Sequence, residues 1–305
     1  MKNLFKKKVF SINLIILFLL LDFYISGNKY LRINKSMKIC LCTIGKKENL
    51  YAREFVTHYK KYGVDKIFVY DNNDLDGENF DEVLTDYIQN DYVKIINYRG
   101  KDAIQLKAMK DCYKKNYMKY DWLLFYDMDE FIFLKDFFNI KDFLNQKIFS
   151  KCEIIILNWV LRSDNELLYY DNRSLFERFK KRGKKISNTI DVKPILKGSI
   201  FTKINSVHTL NENLRQCNSF GNKKIFRGYD DQTPDYYYYY LDHFYSKSTE
   251  EFVNKITKGD VAYGPIKRYY IIKNYFDINK ITSQKINYFE KMLKVNLSEY
   301  RRKIN

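Results

Sequence analysis

The stretch Asp121-Trp122-Leu123-Leu124-Phe125-Tyr126-Asp127-Met128-Asp129-Glu130-Phe131 is an apolar run that ends in three carboxylates within four positions. Leu123 to Tyr126 has the length and the aromatic and aliphatic content of a buried strand. Asp127 and Asp129 are two apart, so a persisting extended conformation projects both to the same side. Two carboxylates at the end of a buried strand repel each other and are costly to desolvate. Mg²⁺ or Mn²⁺ removes that cost, because a hard dication prefers oxygen ligands and bridges readily to phosphate. The competing reading is a solvated acidic turn after a strand.

Outward from this stretch, two kinds of segment alternate. Lys38 to Thr43, Lys66 to Tyr70, Val93 to Asn97 and Trp122 to Tyr126 read as strands. Leu50 to Tyr62, Phe80 to Ile88 and Lys101 to Tyr117 have helical spacing, and Gly63 supplies a stop. The order predicts an α/β domain with a mostly parallel central sheet flanked by helices. Ligands of such sheets bind outside the carboxyl ends of the strands, where Thr43, Asp71, Asp127 and Asp129 fall. Further on, Phe137 to Phe149 reads as helix and Glu153 to Val160 as a buried strand. Lys193 to Phe201, Lys203 to His208 and the five tyrosines Tyr236 to Tyr240 also read as strands. Thr249 to Lys258 reads as a helix, and the chain from Ile271 as a helical tail.

The chain has 305 residues, 46% of them hydrophobic, with only 3 Pro and 11 Gly, a composition for one large compact domain. Lys and Arg number 54 against 37 Asp and Glu, giving +17. The basic residues are scattered along the chain, so no nucleic-acid partner is expected. Basic residues 1–8 precede the largely apolar stretch Val9 to Ile25, which is at the lower length limit for a spanning helix. No small-residue cleavage site is obvious before Asn28. The expected organisation is a cytoplasmic tail (1–8), a transmembrane signal anchor (9–25), a linker (26–37), a catalytic domain (38–270) and a helical tail (271–305). This is a type II single-pass arrangement, placed in the Golgi or ER lumen if the source is eukaryotic and otherwise membrane-associated. Five cysteines, at 40, 42, 112, 152 and 217, have no zinc-site spacing. Buried thiols are the preferred reading, with one disulfide as the alternative.

Several ordered segments resemble glycosyltransferase family 92. They are Thr43 to Asn49 with Glu54 and His58, and Gly63-Val64-Asp65-Lys66-Ile67 running into Tyr70-Asp71-Asn72-Asn73. Next come Gln105 with Asp111-Cys112, the Asp127-Met128-Asp129-Glu130-Phe131 core, Leu175 to Phe179, Lys193-Pro194-Ile195 and Val207-His208. The last is His243-Phe244-Tyr245 with Lys247-Ser248 and Glu251-Phe252. The resemblance implies a GT-A nucleotide-diphospho-sugar transferase fold over about Lys38 to Gly259. It also implies an inverting hexosyltransferase that uses Mn²⁺ or Mg²⁺, a nucleotide-sugar donor (a UDP-sugar) and a glycan or glycoconjugate acceptor.

By that resemblance Asp127 and Asp129 hold the metal on the donor diphosphate, with His208 or His243 as a further ligand. Thr43, Glu48, Asp71 and Gln105 would contact the donor, while Asp111 is structural. Asp164 would be the catalytic base, with Asp230 and Asp231 as alternatives. Arg178, Lys193 and Lys197 are candidates for diphosphate or acceptor contacts, and Glu130 is a further candidate for the base, its other reading being a bystander that pairs with a nearby basic group or caps the helix. Two other readings compete. A nucleotidyl or phosphoryl transferase would also use paired carboxylates, but no glycine-rich phosphate loop is present. A catalytically inactive glycan-binding or scaffold protein would share the fold and dispense with the metal.

Overall fold

The computed structural model describes residues 37–184, 190–206, 208, 213–225, 229–230, 235, 237–258 and 268–304. The expected anchor at residues 9–25 lies outside the described residues. No helix among those described is long and apolar enough to cross a membrane. The chain divides at Met37/Lys38, and the second unit runs to the C-terminus.

Strands β1 (Ile39–Gly45), β2 (Lys66–Asp71), β3 (Val93–Asn97) and β4 (Trp122–Phe125) are joined by helices α1 (Asn49–Lys61), α2 (Phe80–Gln89) and α3 (Gln105–Asn116). Helix α1 buries Tyr51, Ala52, Phe55, Val56 and Tyr59, a stripe at three-to-four-residue spacing. It stops at Gly63, whose φ of +82° suits glycine. Asn79 caps α2 by accepting from the Asp81 amide. Helix α3 lays Ala108, Met109, Cys112 and Tyr113 on the face of the sheet formed by Cys40, Cys42, Leu123 and Phe125.

The chain continues through β5 (Glu130–Leu134), α4 (Ile140–Leu144), a 3₁₀ turn (Lys147–Phe149), β6 (Ile154–Leu161) and α5 (Leu175–Arg178). It then forms β7 (Ile190–Lys197), β8 (Gln216–Cys217), β9 (Tyr229–Asp230) and β10 (Tyr239–His243). Helices α6 (Thr249–Lys258), α7 (Arg268–Ile278), α8 (Ser283–Leu293) and α9 (Ser298–Arg301) complete it. The sheet order is β3-β2-β1-β4-β7-β6-β10-β5, with β8 beside β6 and β9 beside β7.

The sheet is mixed: most of its strands run parallel as expected, but β7 and β5 run against the rest. Strands β1 to β4 are mutually parallel where they pair, whereas β7 is antiparallel to both β4 and β6. Strand β5 is antiparallel to β10. A buried strand reads as the same apolar run whichever way it points, so sequence pattern alone does not fix direction. The carboxyl ends of β1, β2, β4, β6 and β10 nevertheless lie along one edge, called here the carboxyl edge.

Three further expectations change. Residues 203–206 and 208 carry no strand, and Val207 lies outside the described residues. The helix expected over Phe137 to Phe149 is one short helix and a 3₁₀ turn, because Asn139 caps α4 by accepting from the Lys141 amide. The cysteines form two disulfides, Cys42–Cys112 and Cys152–Cys217, leaving Cys40 as a buried thiol. The partners are separated by 70 and 65 residues, so only the packing of α3 on β1 and of β8 on β6 brings them together. At the C-terminus, α7 to α9 pack on α6 through Phe252, Tyr275, Phe276, Phe289 and Tyr300.

Candidate active site

At the carboxyl edge, β4 gives way to a tight turn in which the Glu130 amide donates to the Asp127 carbonyl at 3.0 Å. Met128 packs against Gly45 of β1, where an added Cβ would lie 2.8 Å from the Met128 sulfur. The two aspartates therefore do not continue an extended strand, and the turn sends their side chains to different partners. Asp127 faces α3 and β7. Its Oδ1 accepts from Gln105 Nε2 at 2.7 Å and its Oδ2 meets Lys193 Nζ at 2.7 Å. Asp129 faces β10 and α6. Its Oδ1 lies 3.4 Å from His243 Nε2 and its Oδ2 2.9 Å from Lys255 Nζ.

Glu130 belongs to the same cluster. Its carboxylate lies 3.2 Å from Lys193 Nζ and accepts from the Asp127 amide at 3.1 Å. The three carboxyls separate in their proton affinity. Burial raises that of Asp127, but the adjacent Lys193 charge outweighs it and holds the group below its ordinary range. Burial is likewise outweighed at Asp129 by Lys255 and His243, and the carboxyl sits well below the ordinary range. At Glu130 burial prevails over Lys193, helped by the negative charges of Asp127 and Asp129, and its affinity rises well above the ordinary range. Lys193 is only 1% exposed and is held in its charged form by Asp127 and Glu130 against the effect of burial.

Trp159 of β6 stands between the two histidines, its ring centroid 4.1 Å from His243 and 5.3 Å from His208. His243 is brought to Asp129. His208 instead sets Nδ1 3.2 Å from the Val192 carbonyl, with no aspartate in hydrogen-bond contact. Beside the cluster, a small open pocket lies between β1, β4 and α3. Ile44, Tyr70, Met109 and Phe125 form its apolar wall, and Thr43, Gln105, Asp127 and Lys193 its polar end. The Thr43 hydroxyl is buried with no hydrogen-bond partner, as are His243 Nδ1 and Trp159 Nε1. Orphaned polar atoms at one sheet edge are what a polar ligand would satisfy.

The remaining expected residues are placed elsewhere. Both Asp71 oxygens are engaged, one by the Asn73 amide and one by Arg99 Nη1, each at 2.9 Å, so the side chain braces the loop after β2. Glu48 pairs with Lys247 at 3.2 Å, and Lys247 lies over the Tyr51 ring. This joins α1 to the start of α6. Arg178 is buried against Glu251 at 2.7 Å and is structural. Asp111 accepts from the Tyr70 hydroxyl at 2.7 Å.

Asp164 is 1% exposed and does not border the pocket. Its oxygens accept from the Glu166 amide at 2.9 Å and the Tyr275 hydroxyl at 2.6 Å, and Lys285 lies 2.5 Å away. It therefore anchors α7 and α8 instead of facing a substrate. Asp231 lies outside the described residues. Lys255 and Trp159 were not anticipated. For Lys255 the signal was present, since positions 252, 255 and 256 share one helical face with Phe252 and Ile256.

The sequence profile of Glycosyltransferase family 92 matches residues 35–281. A glycosyltransferase family 92 protein of Oryza sativa subsp. japonica is 29% identical over 114 residues, 34% of this chain and 18% of that protein. The chain thus matches about a fifth of that relative's length. Among solved structures, S. aureus TarS residues 1–349 in complex with UDP-GlcNAc has a TM-score of 0.37 at 13% identity, covering 87% of this chain and 83% of that one. The mannosyltransferase PcManGT of Pyrobaculum calidifontis, in complex with GDP-Man and Mn²⁺, has a TM-score of 0.27 at 8% identity, covering 44% of this chain and 41% of that one. These structural likenesses are distant, and the family assignment rests on the sequence match.

Proposed function

The chain belongs to glycosyltransferase family 92, and on that premise we propose that it is a glycosyltransferase of the GT-A fold. In this reading it moves a sugar from a UDP-sugar to a glycan hydroxyl with inversion. The observation that carries the proposal is the pocket at the carboxyl edge. Its apolar wall suits a nucleoside, and its polar end leads to the Asp127–Lys193 pair. Thr43 offers an unused hydroxyl to the donor there.

Among the described residues no three His, Cys, Asp or Glu side chains converge as a closed cage. Mg²⁺ and Mn²⁺ bound with a nucleotide do not require one, since one or two carboxylates plus substrate phosphates suffice. Asp127, Asp129 and His243 fit that donor set, with His243 Nδ1 left unpartnered behind the ring. A dication held there would neutralise charge growing on the leaving diphosphate without proton transfer. Lys193 and Lys255 keep the two aspartates ionised, ready to serve as oxygen ligands. Gln105 fixes the orientation of Asp127 from the first turn of α3. A carboxylate base for the acceptor hydroxyl is part of the proposal. Asp164 has both oxygens committed, and Asp230, Asp231 and Glu130 stand as the alternatives for that role. The two disulfides support a lumenal or extracytoplasmic setting for the domain, because thiols are kept reduced in the cytosol.

The test is UDP release from a panel of UDP-sugars with and without Mn²⁺. Asp127→Asn and Asp129→Asn are each expected to lower turnover by about 100-fold or more, the scale of losing a charge-stabilising group. Unchanged turnover in both variants would sink the assignment of this edge as the donor site.

A further inference from the structure

We propose that the opposite, amino edge of the sheet seats this chain on an anionic lipid surface, with the pocket at the carboxyl edge facing away. Among the described residues, five large apolar side chains are at least 70% exposed: Leu75 80%, Met118 70%, Phe138 94%, Phe201 79% and Tyr237 70%. Single exposed apolar side chains need no explanation. Here, however, four of the five share one edge. Met118 precedes β4, and its amide donates to the Gly198 carbonyl just past the end of antiparallel β7. Phe201 follows in that same segment, 5.7 Å from Tyr117 between ring centroids. Tyr237 precedes β10. Phe138 follows antiparallel β5, next to Ile140, whose amide donates to the Tyr62 carbonyl before β2. Leu75 alone follows β2 at the carboxyl edge.

The four side chains form two couples, one beside the adjacent strands β4 and β7 and one beside the adjacent strands β10 and β5. Three strand spacings separate the couples, about 14 Å, which gives two points of support for a plane. Met118 has a φ of +66°, a left-handed conformation that disfavours side chains and in a solvated turn suits Gly or Asn.

Two observations select lipid as the occupant. The same edge exposes Lys38, Lys119, Lys135, Lys147 and Lys203, while two of its acidic side chains, Asp65 and Asp91, are paired with Lys141 and Lys66, and Asp136 keeps its charge beside the Tyr239 hydroxyl. Exposed apolar and aromatic side chains together with lysines on one edge match the interfacial layer of a bilayer that carries anionic lipid. The chain also begins β1 at this edge, with the Lys38 amide donating to Asp121 beside Met118. Only residues 26–37 separate it from the apolar stretch Val9 to Ile25.

The experiment uses the full chain reconstituted into vesicles of phosphatidylcholine and phosphatidylglycerol that carry a headgroup-proximal doxyl quencher. Met118→Trp, Phe138→Trp, Phe201→Trp and Tyr237→Trp are made singly, with Leu75→Trp as the control. Emission from the four is expected to shift to the blue and to be quenched several-fold more than that of Leu75→Trp. The difference should shrink when phosphatidylglycerol is omitted or salt is raised. Quenching no greater than in Leu75→Trp overturns the proposal. A blue shift that is already present in detergent and grows with protein concentration also overturns it, in favour of a second copy on this face. The combined Met118→Ser/Phe201→Ser change, made in the Phe138→Trp background, should reduce the blue shift and the quenching while keeping UDP release, which separates this surface from the donor site.

Discussion

At the residue scale, the site is a set of carboxyls sorted by their cationic neighbours. The sequence shows three acidic residues of equal standing. The structure gives Asp127 to Lys193, Asp129 to Lys255 and leaves Glu130 buried with a raised proton affinity. Thr43 is the simplest probe of the pocket, because its hydroxyl lacks a partner in the free protein. Thr43→Val preserves shape, so its stability should stay within about 1 kcal/mol of the parent. Donor affinity should fall roughly tenfold, the value of one hydrogen bond made only in the complex, and titration calorimetry with UDP reads both the affinity and its loss.

His58 is a residue of a different kind. It lies on α1 with Nε2 2.9 Å from the Ile132 carbonyl and its ring stacked on Phe176. Burial lowers its pKa from 6.5 to about 4. The unfolded chain therefore binds the proton more readily than the folded one. The contribution to stability is complete above pH 6.5 and is lost as the pH falls towards 4, by about 3 kcal/mol in all. Urea unfolding across that window should show the slope, and His58→Gln should flatten it.

At the element scale, the segments that resemble the family are divided between chemistry and scaffolding. Glu54 caps the start of α5 by accepting from the Leu175 amide at 3.1 Å. Lys247, Glu251 and Arg178 lock α6 to α1 and α5. The C-terminal helices are held by Asp164, which ties Tyr275 of α7 and Lys285 of α8 to the end of β6. Asp164→Asn would leave a buried ammonium without its counter-charge, a loss of about 3–5 kcal/mol. Its urea midpoint should drop sharply while UDP affinity stays unchanged. A variant that keeps its midpoint but loses turnover would restore Asp164 to the catalytic base role. Alternation and helical spacing made β1 to β4 and α1 to α3 legible to within a few residues. They failed at Lys203 to His208, whose described residues carry no strand.

At the scale of the whole molecule, two long-range disulfides brace the fold at different places. Cys42–Cys112 pins α3 under the pocket, and Cys152–Cys217 fastens β8 to β6. Cross-links closing loops of this length each contribute about 2–5 kcal/mol. Reduction before thermal unfolding should therefore lower the transition by several degrees. Mass spectrometry of alkylated, denatured but unreduced protein should find a single free thiol, at Cys40. Two or more alkylated sites would overturn the pairing.

What the sequence determined by itself was local. A run of strand-forming residues ends in carboxylates, helical stripes alternate with strands, and polar residues sit at strand ends. Those patterns depend on residue type and on periods of two and 3.6, which a linear reading contains. What only the tertiary structure decided was pairing. It set the direction of β5 and β7, the partners of four cysteines, the placing of His243 and not His208 beside Asp129, and the burial of Asp164 against Tyr275 and Lys285. Each of these depends on which distant segment comes alongside, and no local periodicity encodes that. The Asp127-Met128-Asp129 run shows both halves. Its position at a buried strand's end was written in the sequence, but the tight turn that sends one aspartate to Lys193 and the other to Lys255 exists only in the folded chain.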